Sequence, residues 1–166
     1  MQRLPWLLLW AGGVAALQAQ SPFAFRDLDG RSLELSENGR PVLVYNYGLI
    51  LRPGNPEKSA RSTYLHPVYL PDGRLITDDF NPDHPHHRGI SWMWPVVVVD
   101  GKTYDLWTLG GIRQRFVRWT AQETRRDSAR LAVENGWYIG ERKVVKEDIE
   151  IRVEPAKDGT RRLHFT

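Results

Sequence analysis

From Ser21 onward the chain is written in short runs in which apolar and polar side chains alternate, separated by turn dipeptides. The clearest run is Ile149 to Glu154, where Ile149, Ile151 and Val153 share one face and Glu150, Arg152 and Glu154 the other, because side chains alternate along a strand. Pro41 to Tyr47 reads as another strand, and Ile90 to Trp94 as a third that continues to Val99. Turns are predicted at Asp29-Gly30, Asn38-Gly39, Asp72-Gly73, Asp100-Gly101, Asn135-Gly136 and Asp158-Gly159, a hairpin signature. No window carries a convincing helical period; Thr120 to Ala132 comes nearest, and its charges fall all round. The pattern predicts an all-β protein, an antiparallel β-sandwich, with residues 21–166 as a single domain. A last alternation begins at Arg161, with Leu163 and Phe165 on one side, and stops at Thr166, which leads us to expect a missing C-terminal part.

Residues 1–20 follow another rule. Arg3 precedes an apolar run from Leu7 through Leu17 that ends in small residues, the form of a secretory signal peptide cleaved after Ala16 or Ala19. An apolar core of about ten residues is too short for a hydrocarbon layer that needs about twenty, so the mature chain is expected to be exported, periplasmic or extracellular, with no membrane span. Composition adds exclusions. The net charge of +3 falls to +2 once Arg3 is removed, and no basic run exceeds two residues, which argues against a nucleic-acid partner. With no cysteine, thiol catalysis, disulfides and thiolate metal sites are excluded.

Chemistry concentrates between Arg61 and Trp94. Four of the five histidines, His66, His84, His86 and His87, lie there with Asp78, Asp79, Asp83 and Arg88. Pro85 disfavours a helical His84, and alternate residues of an extended segment project to one side, so His84 and His86 can converge. With Asp78, Asp79, Asp83 or His66 they would form a nitrogen/oxygen site for one divalent first-row metal ion, and we take His84, His86 and Asp78 as the candidate ligands. Metal-free catalysis is the second reading. A histidine near its ordinary pKa acts as acid or base, an aspartate orients it, and Arg88 clamps an anion. A third is structural, with the histidines hydrogen-bonding a polar loop. Trp92 and Trp94 are predicted on one strand face, with Tyr64, Tyr69, Tyr45, Tyr47 and Trp107 arriving from neighbouring elements. Most of these aromatics are expected to fill the core; a few beside His, Asp and Arg would make a stacking platform for sugar rings.

The motif Leu75-Ile76-Thr77-Asp78-Asp79-Phe80, followed by Asp83-His84-Pro85-His86-His87-Arg88-Gly89 and the Trp92/Trp94 segment, resembles the PmoA-type family of secreted bacterial proteins, which carries the label methane oxygenase. The resemblance implies a β-sandwich, part of a mutarotase-like supersandwich, in exported sugar-processing systems, and chains longer than this one. Membrane methane monooxygenase subunits are helical bundles, and nothing after Gln20 could be such a helix.

The expectation is therefore an exported protein that binds and processes a saccharide, as a lyase, epimerase or hydrolase, in a His/Asp/Arg pocket. His84, His86, His87, Arg88 and Asp79 are the candidate catalytic residues; Tyr64, His66, Trp92 and Trp94 are the candidate substrate contacts. A metal-dependent oxygenase and a non-catalytic carbohydrate-binding module stand as the alternatives.

Overall fold

Paired left-handed turn residues set the hairpins. Asn38 (φ 50°) and Gly39 (φ 76°) join β2 (Ser32–Glu37) to β3 (Arg40–Asn46) after β1 (Phe23–Asp27), and two successive positive φ values give the type I′ geometry that matches strand twist. The computed structural model describes residues 21–166, so the leader expected over residues 1–20 lies outside the described residues. β4 (Tyr64–Val68) completes a first antiparallel sheet in the order β1-β2-β3-β4. Asp100 and Gly101 turn β5 (Val97–Val99) into β6 (Lys102–Tyr104), a separate two-stranded ribbon. The long strands β7 (Arg113–Thr124), β8 (Ala129–Ile139) and β9 (Arg142–Val153) are joined by short β10 (Leu163–Phe165) in a second sheet ordered β10-β9-β8-β7.

The two four-stranded sheets enclose one core. Phe23, Leu33, Leu35, Leu43, Tyr45, Leu65 and Val68 from the first pack with Ala129, Leu131, Val133, Ile149, Ile151 and Val153 from the second. The sandwich expectation holds, and the alternation of Ile149, Ile151 and Val153 is buried as read. Among the described residues no helix is long and apolar enough to cross a membrane.

Two local readings need correction. Asn135-Gly136 is not a turn but the interior of β8, where Asn135 pairs with Phe116 on one side and Glu147 on the other; the hairpin between β8 and β9 turns at Gly140, with φ 59°. Its buried amide, bonded across the sandwich, outweighs the turn preference of the dipeptide. Ile90 to Val99 is not one strand. Ile90 makes a single bridge to Leu65, and regular pairing resumes only at Val97, beyond Pro95, which has no N–H to give a ladder. Thr120 to Ala132 lies in β7, its hairpin and β8.

Candidate functional site

The sandwich carries at one end a set of loops, and the histidine motif is one of them. Here the extended reading of His84 to His86 is replaced by a turn: the His87 N–H donates to the His84 carbonyl (2.9 Å) and the His84 N–H to Asn81 (3.2 Å). Pro85 takes the second position of this turn, where its fixed φ suits the backbone. The turn gathers the three imidazoles by a different route from the one expected. His84 and His87 stack at 4.9 Å, His86 meets His87 edge-on at 4.6 Å, and His84 and His86 are 5.9 Å apart. Trp107, from the loop between β6 and β7, closes the group at 5.7 Å from His86 and 5.6 Å from His87.

Gly89 makes this placement possible. Its φ is +50°, and a Cβ there would stand 2.0 Å from the Leu65 carbonyl oxygen. Without a side chain, the strand edge closes through Ile90 N–H to Leu65 (3.0 Å) and Leu65 N–H to Ile90 (2.9 Å). The preceding Arg88 is thereby turned inward.

Arg88 is 1% exposed, among the most buried side chains of the protein. Its Nε donates to Asp79, its Nη2 to the Tyr64 hydroxyl (2.6 Å) and its Nη1 to the Ser59 carbonyl (3.1 Å). The guanidinium carbon lies 3.5 Å from the Phe80 ring centroid and 4.7 Å from that of Tyr64. The Tyr64 hydroxyl in turn donates to Asp79 (2.9 Å), and burial holds the phenol well above its usual pKa. Arg88, Asp79 and Tyr64 form a closed internal network. The residues expected as anion clamp (Arg88), catalytic carboxylate (Asp79) and substrate contact (Tyr64) thus have their polar atoms engaged with one another inside the fold.

The other predicted residues are dispersed. His66 is half-buried; its Nδ1 pairs with the Thr77 hydroxyl (2.9 Å), and burial lowers its pKa. Asp78 is exposed, and its carboxylate accepts from Asn81 Nδ2 (2.9 Å) and the Asp79 N–H (2.8 Å), which together lower its pKa. It therefore serves its own turn and does not complete a site with His84 and His86. Among the described residues no three His, Asp or Glu side chains are placed to hold a metal ion, so the expected ligand set is not assembled. Trp92 and Trp94 do not share a strand face. Trp92 packs against Phe165 (5.7 Å), its carbonyl fixed by Gln114 Nε2 (3.0 Å), while Trp94 lies against Trp137 (5.2 Å).

What the turn does build is a cavity. A space of about 410 Å³ opens between the 55–61 segment, Pro85 and His86, and the Trp107–Leu109 loop. His86, Trp107, Lys58 and Arg61 line it. Burial, followed by His87 and His84 as like-charged neighbours, lowers the pKa of His86; near pH 7 its imidazole is neutral and can accept a proton. Of these four residues the sequence singled out His86 as reactive. Trp107 stood among the general aromatics, and Lys58 and Arg61 carried no local signal, since only the tertiary fold sets them beside the histidine turn.

No curated protein and no solved structure matches the chain. The resemblance to the PmoA-type family is overturned, because the family model that matches is a different one, and its description mentions neither PmoA nor methane oxidation. That model spans residues 32–166, from β2 through the histidine turn to the last strand, and the chain belongs to the family it describes, the family of unknown function DUF6807.

Proposed function

We propose that the protein is an exported, carbohydrate-active protein that binds a saccharide in the cavity beside the histidine turn and processes it there. The observation that carries this reading is the pairing of His86 and Trp107, 5.7 Å apart, on the wall of one cavity. An indole face offers an apolar plane to a sugar ring, and a neutral imidazole next to it can take a proton from that ring or from an attacking water. A volume of about 410 Å³ suits a small-molecule site, for which about 300–1,000 Å³ is usual. His84 and His87 meet His86 edge-on and disfavour its protonated form.

The test is a glycan-binding screen followed by turnover assays on the ligands found, with Trp107→Ala and His86→Ala beside the wild type. Loss of the indole should weaken binding at least about tenfold, the size of a good stacking contact. Loss of the imidazole should leave binding within a few-fold and reduce turnover about 10²–10⁴-fold, the range for a general base. Binding that survives both changes would place the saccharide elsewhere. Binding at this cavity with no turnover of any ligand would make the protein a recognition module.

A further inference from the structure

The cavity has an electrostatic asymmetry that the saccharide reading leaves unused. Arg61 lines it and is 3% exposed, yet its hydrogen-bond partners are neutral: Nη2 donates to the carbonyls of Leu106 (3.0 Å) and Trp107. Among the described residues its buried Nη1 has no hydrogen-bond partner. Arg113 is held in the same manner, by the carbonyls of Ala60 (3.0 Å) and Lys58 (3.1 Å). Arg88, the third guanidinium reaching the 57–61 segment, does have a carboxylate partner in Asp79. Lys58, exposed at the cavity rim, adds another cation.

Among the described residues no acidic side chain lines the cavity. Asp105 is near enough to act on Arg61, and its carboxylate accepts from the Thr108 N–H (3.0 Å) and hydroxyl (2.6 Å). Burial, with Arg88 and Arg113 as neighbours, pulls the pKa of Arg61 down to about 10. The group is still a cation at neutral pH, in surroundings where one more negative charge would be favourable. A buried donor without an acceptor is unfavourable, and an anion in the cavity would offset the charge.

We propose that the saccharide is an acidic one: a uronic-acid unit whose carboxylate lies between Lys58 and the Arg61 wall, with its ring on Trp107 next to His86. This rests on the saccharide reading of the same cavity. A guanidinium fork fits a planar carboxylate, and Lys58, on a flexible stem, can close over it from the rim. Because Nη1 is sealed from bulk solvent, contact with it requires the guanidinium to turn toward the cavity; until then Arg61 acts through its field.

The experiment is calorimetric titration of the full chain with disaccharides containing glucuronate or galacturonate, with their neutral hexose counterparts, and with a sulfated hexose. The uronate ligands should bind at least about tenfold more tightly than the neutral ones, the fold-change one charge-assisted hydrogen bond supports. That preference should vanish near 1 M salt, where screening acts within about 3 Å. Lys58→Ala, an exposed change, should reduce the preference several-fold. Arg61→Lys, which keeps the charge, should retain part of the preference, and Arg61→Gln should abolish it, each variant first shown by circular dichroism to be folded. Equal binding of acidic and neutral sugars would overturn the anion subsite while leaving the saccharide reading intact. A preference for the sulfated hexose alone would overturn the carboxylate. Binding of none of these sugars would overturn both the inference and the reading beneath it.

Discussion

At the scale of single residues, the chemistry of one motif divides into parts with opposite orientations. Arg88 and His86 are two positions apart, yet one is sealed inside the protein and the other lines a cavity. The difference follows from hydrogen-bonding demand. A guanidinium has five N–H groups to place, and the interior supplies Asp79, the Tyr64 hydroxyl and the Ser59 carbonyl, whereas the imidazoles of His86 and His87 pack against each other and against Trp107 at the surface. Removing one partner of a buried ion pair leaves the other charge uncompensated, which costs about 3–5 kcal/mol. Asp79→Ala should therefore lower the unfolding free energy by about that amount, and urea denaturation followed by tryptophan fluorescence would measure it. A change under about 1 kcal/mol would show that water readily replaces Asp79 beside Arg88. The sequence displayed the ingredients of this network, Asp79 and Arg88, in one motif. It gave no sign that Tyr64 would cap them, because the choice between an inward and an outward arginine depends on acceptors supplied from elsewhere in the fold.

Elements were legible where local chemistry acts alone. Asn38-Gly39, Asp100-Gly101 and Asp158-Gly159 all turn with two left-handed residues, as their composition predicts. Asn135-Gly136 has the same composition and sits inside a strand, since Asn135 is held by Tyr45 (2.9 Å) and Glu147 (3.0 Å), contacts no local rule can anticipate. The histidine turn shows the same limit. Pro85 disfavours a helical His84, but whether the segment then extends or turns is settled by the bond from His87 N–H to the His84 carbonyl. Its exit is fixed by Gly89, and an added methyl there meets the Leu65 carbonyl as well as an unfavourable φ. Gly89→Ala should cost about 2–3 kcal/mol, the upper part of the usual range for point substitutions. Amide hydrogen exchange would locate the damage, with faster exchange at Leu65 and Ile90, whose mutual bonds close the bridge. Unchanged protection at those two amides would mean that the bridge tolerates the methyl and that Gly89 does not set the exit of the turn.

At the scale of the whole molecule, the two sheets are tied by apolar and polar contacts that use the same residues. Tyr45 fills the core with its ring and accepts from Asn135 of the opposite sheet with its hydroxyl, and Asn135 passes the connection to Glu147, which also accepts from Trp137 (3.0 Å) and Gln114 (3.1 Å). Burial raises the pKa of the Tyr45 phenol, so it remains a neutral hydroxyl in this chain of bonds. At the other end of the sandwich Arg161, ahead of β10, pairs with Glu37 at the end of β2, both nearly buried. Neither sheet can bury its apolar face without the other, so the sandwich should unfold as one cooperative unit. Leu35 on β2 and Ile151 on β9, each 1% exposed, belong to the same core cluster on opposite sheets. Leu35→Ala and Ile151→Ala should each cost about 2–5 kcal/mol through lost transfer energy and the cavity left behind. The decisive feature is the form of the transition. Far-ultraviolet dichroism follows both sheets, while near-ultraviolet dichroism follows the packed aromatic side chains, including Trp119 and Trp137 on the second sheet. If the core is shared, each substitution shifts both transitions by the same amount, wherever the methyl groups are removed. If Leu35→Ala lowered only the far-ultraviolet midpoint, the first sheet would melt independently of the second, and the cavity loops that leave it would owe their positions to that sheet alone.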